Sequence, residues 1–251
     1  MIQINEVKKT RYGYNVIFNE ERVNIEDSVW SKFKLRRGQS LEKAFFKQLL
    51  KENELAKIRR KSLAFLARRR SVFEFKTYLR KLEANFKLIE NLTKEYLEKG
   101  YLDDYNYALG LIEKEKSRYG KNKIKTLLIK KGIKAEIIEE LLENFTNPNL
   151  ENHVKAACQN VKTANYNQAY QKVKRSLIYK GYESREIDKL IIKHLTKDAF
   201  DSKKSIVKFY EQALKKHQKK FSGKELELRV KKALYNKGFT LKEINEIMRS
   251  Q

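Results

Sequence analysis

Asp103 and Asp104 are adjacent carboxylates, and such a pair is a natural first place to look for a bound divalent cation or a shared catalytic proton. Both chemistries need further ligands or a second titratable group. The flanking run Gly100-Tyr101-Leu102-Asp103-Asp104-Tyr105 reads instead as a helix start, where one carboxylate caps free amides and the other favours the positive end of the dipole. His153, His194 and His217 are dispersed, with no grouping of cysteines or carboxylates at ligand spacing, and Cys158 is a lone thiol. There is no Gly-x-x-x-x-Gly-Lys loop and no glycine-rich dinucleotide turn, so ATP use is not expected. A nuclease would need a carboxylate cluster that these segments do not assemble. The expectation is a chain that is not an enzyme, with no catalytic residue, no metal ligand and no cofactor site.

The residues that could act are cationic. Lys and Arg number 57 against 32 Asp and Glu, a formal charge of +25 with a pI near 9.8. That balance predicts attraction to polyanions, nucleic acid or an assembly containing it, through phosphate contacts and counterion release; lysines that merely solvate helix faces are the alternative. On a helix read from Leu55 to Arg69, Leu55, Ile58, Ser62, Phe65 and Leu66 share one side, while Lys57, Arg60, Lys61 and Arg68 gather on the other with nothing acidic interleaved. Arg68, Arg69 and Arg70 then cross the helix end, either as a contact for phosphate or an acidic surface, or as complements to the dipole. Arg118, Lys121 and Lys123 form a second basic group near Gly120, at a helix start where cations oppose the dipole. Tyr166, Tyr170, Tyr179 and Tyr182 could stack on exposed bases, but Tyr170, Val173 and Leu177 fall at helical spacing, which favours core packing.

A single Pro and nine Gly leave little room for turn-rich β architecture, so helix is the default for the elements that carry these residues. The N-terminus differs: Ile2 to Val7, Tyr12 to Phe18 and Arg22 to Ile25 read as a small antiparallel sheet. Asp27 or Ser28 is expected to cap a short helix carrying Val29, Trp30 and Phe33, and Ser40 to start another with Leu41, Phe45 and Leu49. Beyond Glu54 the chain repeats. Around Gly132, Gly181 and Gly238, and around Glu83 in a fourth copy, the same frame recurs. Eight residues before the centre stand Phe75, Ile124, Val173 and Val230; four before, Leu79, Leu128, Leu177 and Leu234; six after, Ile89, Ile138, Ile187 and Ile244. The spacings of 49, 49 and 57 residues leave room for one more helix per unit, read as Leu55 to Arg69, Asp103 to Tyr119, Leu150 to Thr163 and Asp198 to Lys216. Lys76, Lys125, Lys174 and Lys231, one per unit at the edge of the packed face, would form a ladder of positive charge, with Arg175 beside it.

The predicted fold is therefore mostly α: tandem three-helix repeats stacked in an elongated, curved array behind a small N-terminal sheet-and-helix extension. Its parts are residues 1–53, then repeats at 54–99, 100–147, 148–197 and 198–251. The lone cysteine excludes an internal disulfide, and no 18-residue apolar run appears; a cytoplasmic chain without membrane contact is expected.

Two segments carry a resemblance. Ser62-Leu63-Ala64-Phe65-Leu66-Ala67-Arg68-Arg69-Arg70-Ser71-Val72-Phe73-Glu74-Phe75 resembles the opening of the first repeat of the RecX family. Gly100-Tyr101-Leu102-Asp103-Asp104, with Gly120-Lys121-Asn122-Lys123-Ile124 and Leu128-Ile129-Lys130-Lys131-Gly132-Ile133, looks like that family's middle repeat. The match is good over roughly residues 55 to 195 and looser beyond. The resemblance implies a monomer of helical repeats that lodges in the RecA filament, contacts RecA protomers and, through phosphates, single- and double-stranded DNA, and inhibits RecA ATPase, filament growth and strand exchange in recombination, repair and the SOS response. It would make Lys57, Arg60, Lys61, Arg68, Arg69, Arg70, Lys76, Arg118, Lys121, Lys123, Lys125, Lys174, Arg175 and Lys231 the candidates for contact with RecA or DNA. An autonomous, non-specific DNA-binding or architectural protein is the alternative. Departures from the family pattern fall at Glu83, which replaces the repeat glycine, and at Glu151-Asn152-His153, which replaces the acidic pair.

Overall fold

The computed structural model describes residues 1–163, 165–197, 200 and 202–250. These form two compact units: Met1–Tyr107 with Lys131–Ile133, and Ala108–Lys130 with the chain from Lys134 onward.

The first unit opens with β1 (Ile2–Thr10), β2 (Gly13–Phe18) and β3 (Glu21–Glu26), an antiparallel meander ordered β3-β2-β1-β4, in which β4 (Ser40–Leu41) pairs Ile2 with Leu41. The pleat sends Ile4, Val16, Phe18 and Ile25 to one face, where they bury with Val29, Leu35 and Leu49. Two expectations fail here. Ser40 does not start a helix, because its neighbourhood is drawn into the sheet edge. The cap of α1 (Asp27–Lys32) is Glu26, with no side-chain bond, and Asp27 instead pairs with Lys9.

Helix α2 (Lys43–Phe65), expected to begin at Leu55, runs 23 residues and serves two cores. Its first half packs Phe45, Phe46 and Leu49 on the sheet; its second half sends Ile58 and Phe65 to a cluster with Phe75 and Leu79 of α3 (Val72–Lys81) and Ile89, Leu92 and Tyr96 of α4 (Phe86–Glu98). Buried Asn53 locks α2 to the sheet: its Oδ1 accepts from the Glu26 amide at 2.8 Å and its Nδ2 donates to Asn24 O at 2.8 Å. Ser71 and Glu74 make a reciprocal capping box at the start of α3, and Asn85 caps α4.

The second unit continues with α6 (Lys121–Lys130) and α7 (Ala135–Leu142), α8 (Leu150–Asn160), α9 (Tyr166–Tyr179) and α10 (Ser184–His194), then α11 (Ser202–His217), α12 (Gly223–Asn236) and α13 (Leu241–Ser250). Helix α5 (Asp104–Glu115) begins in the first unit. The α11 expectation placed its start at Asp198, which lies outside the described residues, as do Asp201 and Gln251.

Every residue of the three apolar columns of the repeat frame is buried, Ile89 at 5% being the most exposed. The centres behave alike: Gly132, Gly181 and Gly238 hold φ of +71°, +90° and +82°, and Glu83 adopts +58°. In three of the four repeats the amide one position later bonds back five residues, Ala84 to Leu79 O at 3.2 Å, Tyr182 to Leu177 O at 3.2 Å and Phe239 to Leu234 O at 3.3 Å, which closes the second helix there and aims the next.

Candidate functional site

Helix α2 stops at the Leu66 cap, and Leu66 to Arg70 cross to Ser71. Arg68 and Arg69 stand exposed on this crossing and form no salt bridge among the described residues. Arg70 is different: its guanidinium lies 4.6 Å over the Phe65 ring, which stacks on Tyr78 at 4.1 Å, and its Nε is buried without a hydrogen-bond partner. Beside it a cleft of about 320 Å³ is lined by Arg69, Arg70, Tyr101, Asp103, Asn106 and Tyr107.

The acidic pair has its own work. Asp103 caps α5, accepting from the Asn106 amide at 2.9 Å and its side chain at 2.7 Å, and those bonds hold its carboxyl below the usual range. Asp104 accepts from the Val72 amide at 2.9 Å, so the positive end it satisfies is that of α3. Glu74 reaches Lys131 Nζ at 2.6 Å; burial pulls its pKa upward, but the bonds from Lys131, the Ser71 amide and Tyr107 outweigh that and leave it lowered.

Several basic candidates have acidic partners that helical geometry alone could not show. Arg60 donates from Nε to Glu26 at 2.8 Å and from a terminal nitrogen at 3.1 Å, and the Glu26 side chain is only 4% exposed. The stripe on α2 is therefore not free of acids: Glu26 arrives from β3, and Lys57 bonds Glu54 at 2.8 Å. Lys61 remains exposed. Nor do the column lysines form an open ladder. Lys76 bonds Glu90 at 2.7 Å and Lys174 bonds Asp188 at 2.8 Å, each acid seven residues past its centre. Asp188 also accepts from Tyr170 at 2.7 Å, which pushes that phenol up to about 12. In the last repeat Asn245 holds the acid's place, and Lys231 turns to Glu227 on its own helix at 2.6 Å. Lys125 is exposed at a cleft that it lines with Lys121, Glu139 and Glu140.

The cations near Gly120 have an electrostatic reason to be there. Gly120 donates its amide to Lys180 O at 2.9 Å and Asn122 to Gly181 O at 3.1 Å, so the start of α6 sits against the carbonyl end of α9. That negative end offsets the dipole repulsion expected for Arg118, Lys121 and Lys123. Arg118 additionally meets Glu115 at 3.7 Å. The next pair of repeats uses an asparagine for the same purpose: Asn165 caps α9 through the Gln168 amide and donates its Nδ2 to Lys237 O at 2.7 Å. Within the first unit, Ser71 Oγ donates to Lys131 O at 2.7 Å.

Among the tyrosines, Tyr182 is buried against His153, whose pKa burial lowers, and Tyr166 and Tyr170 are part-buried. Tyr179 is not a core residue; it is 78% exposed, with Lys123 Nζ 4.8 Å from its ring centroid. Tyr235, which sequence reasoning passed over, is 60% exposed beside Arg175. The signal existed: Tyr179 follows the core position Leu177 by two residues, roughly 200° around the helix. Among the described residues no group of three or more His, Cys, Asp or Glu could hold a metal ion, and no helix is long and apolar enough to cross a membrane.

No family model matches the chain. It is 30% identical to the "Regulatory protein RecX" of Halalkalibacterium halodurans, over 98% of this chain and 97% of that one. It is 27% identical to the protein of the same description from Listeria welshimeri, over 98% and 94%. A crystal structure described as regulatory protein RecX superposes with a TM-score of 0.52 at 20% identity, covering 76% of this chain and 98% of the other, which supports the fold. With helical repeats, the repeat frame and near full-length similarity in agreement, the chain belongs to the RecX family.

Proposed function

We propose that this protein regulates the RecA recombinase by binding the RecA–DNA filament and restraining its ATPase activity, its extension and strand exchange. The observation that carries the reading is the similarity, over nearly the whole of both chains, to a regulatory protein of the RecX family. The charge supports the DNA half of the contact: an excess of 25 cations favours a polyanionic partner. Arg68 and Arg69, exposed on a short crossing between two packed helices, are the cations we assign first to phosphate or to an acidic RecA surface. Arg60, Lys76 and Lys174, tied to carboxylates on other elements, and Lys231, paired on its own helix, come last. The protein acts in the cytoplasm, as a monomer and without chemistry of its own; its repeats at 54–99, 100–147, 148–197 and 198–251 follow the filament as a series of similar contacts.

The test is RecA ATPase on single-stranded DNA, titrated with this protein and with the Arg68→Ala/Arg69→Ala variant, which leaves Arg70 on Phe65. Inhibition by protein far too scarce to coat the DNA, weakened in the variant, is the expected result. Inhibition only at amounts that cover the DNA would instead mean non-specific binding to DNA alone.

A further inference from the structure

Two successive repeats of the second unit end their middle helix with a tyrosine in water. Tyr179 is the last residue of α9 and Tyr235 the last but one of α12. At 78% and 60% they are well exposed for large hydrophobic residues, although the same helices bury Val173, Leu177, Val230 and Leu234. Leaving two aromatic rings uncovered forgoes the stabilisation their burial would bring. Each ring is also accompanied by cations from the preceding repeat. Lys123, in the first turn of α6, places its ammonium over the Tyr179 ring, 4.8 Å from its centroid. Tyr235 lines a cleft of about 370 Å³ with Lys172, Arg175, Asn167 and Gln168, and among the described residues no carboxylate lines that cleft. The joints themselves are hydrogen-bonded: Gly120 donates to Lys180 O, one residue past Tyr179, and Asn165 to Lys237 O, two past Tyr235.

An aromatic face beside a cation and away from carboxylates suits a planar, electron-rich ring that carries an anion, which is a nucleotide. A stacked duplex hides base faces, so only unpaired bases can use such a surface. We infer that Tyr179 and Tyr235 are stacking positions for two separate, non-adjacent bases of single-stranded DNA, with Lys123, Lys172 and Arg175 on the flanking phosphates. This deepens the proposed function by naming which nucleic acid the second unit holds and how. It rests on that reading only in assigning DNA to this chain.

The experiment uses the full chain and bare DNA: anisotropy of a labelled oligothymidylate, and of an abasic strand with the same number of phosphates. Wild type binds the thymidylate more tightly than the abasic strand. Tyr179→Ala and Tyr235→Ala each weaken thymidylate binding by about 5- to 150-fold, the range for loss of one stacked base, and leave abasic binding unchanged. Tyr→Phe at either position keeps wild-type affinity. Lys123→Ala and Arg175→Ala each lower the slope of log affinity against log salt by about 0.7, whereas the tyrosine variants do not. Equal binding of the two strands by wild type, or wild-type thymidylate affinity in both alanine variants, overturns the inference. So does loss of RecA inhibition with DNA affinity intact, which would make the tyrosines a protein contact. Because the probe is free DNA, failure of the RecA reading and failure of this one are seen separately.

Discussion

A methyl group at Gly120 would test how the repeats of the second unit are joined. An alanine Cβ there would lie 2.4 Å from Gly181 O and 2.7 Å from the Tyr182 amide nitrogen, both backbone atoms that cannot swing aside. The start of α6 must then withdraw from the end of α9. Overpacking of this kind costs about 1–3 kcal/mol. The withdrawal also lengthens the bonds from Gly120 to Lys180 O at 2.9 Å and from Asn122 to Gly181 O at 3.1 Å. Two such bonds are worth about 1–3 kcal/mol together. The sum, about 2–6 kcal/mol, is a large part of the roughly 5–15 kcal/mol that keeps a domain folded. At about 2–4 °C per kcal/mol it lowers the melting temperature by about 5–20 °C. Gly100→Ala is the comparison: φ is +70° there but nothing stands within 4 Å of the added carbon, so only left-handed strain of about 1–2 kcal/mol is paid. Urea denaturation gives the two losses, and hydrogen exchange at the first amides of α6 locates the damage. If Gly120→Ala unfolds no more easily than Gly100→Ala, or its α6 amides exchange as in wild type, the joint is not what the distances say it is.

Arg60→Ala should cost stability, about 1–3 kcal/mol, because it strands Glu26, whose side chain is 4% exposed, while the salt dependence of DNA binding stays unchanged; unchanged stability with a shallower salt slope would return Arg60 to the DNA surface. Glu83→Gly should stabilise the protein by about 1 kcal/mol in denaturant titrations, because φ at that position is +58°; a loss of stability would refute the strain. Lys174→Met should expose the sign of the Asp188 coupling. The bond from Lys174, then that from Tyr170, lowers the Asp188 pKa, so the stabilisation is full above the unfolded carboxyl value near about pH 4 and fades as pH falls through the lower folded value. The gap between wild type and variant should therefore narrow on acidification, and a gap independent of pH down to acid unfolding would contradict it.

The repeat frame was legible because burial and backbone conformation both leave marks at fixed offsets. Leu79, Leu128, Leu177 and Leu234 recur because each packs under its own turn. Glu83 could be placed in the glycine column from its neighbours alone, and it adopts the same left-handed conformation. Strand β4 was not legible, since two residues show no alternation and Ser40 resembles a helix cap. The site was less legible than the fold, for two different reasons. Glu26 lies 34 residues from Arg60, and nothing local connects a strand end to a helix face. The partners of Lys76 and Lys174, by contrast, stood in the same frame: Glu90 and Asp188 each follow a core isoleucine, with Glu139 and Asn245 at the same offset in the other two repeats. Aligning the cations without the anions turned internal ties into an apparent ladder. Tyr179 was misplaced for a similar reason, its membership of an amphipathic helix having been read without its angle on that helix.

The central claim is that the filament, and not DNA by itself, is the target. Equilibrium binding of the labelled protein to RecA-coated and to bare single-stranded DNA, across a salt series, tests it directly. Tighter binding to the filament, with a shallower salt slope because protein contacts replace released counterions, is expected. Equal or tighter binding to bare DNA, with the same steep slope on both, would contradict it.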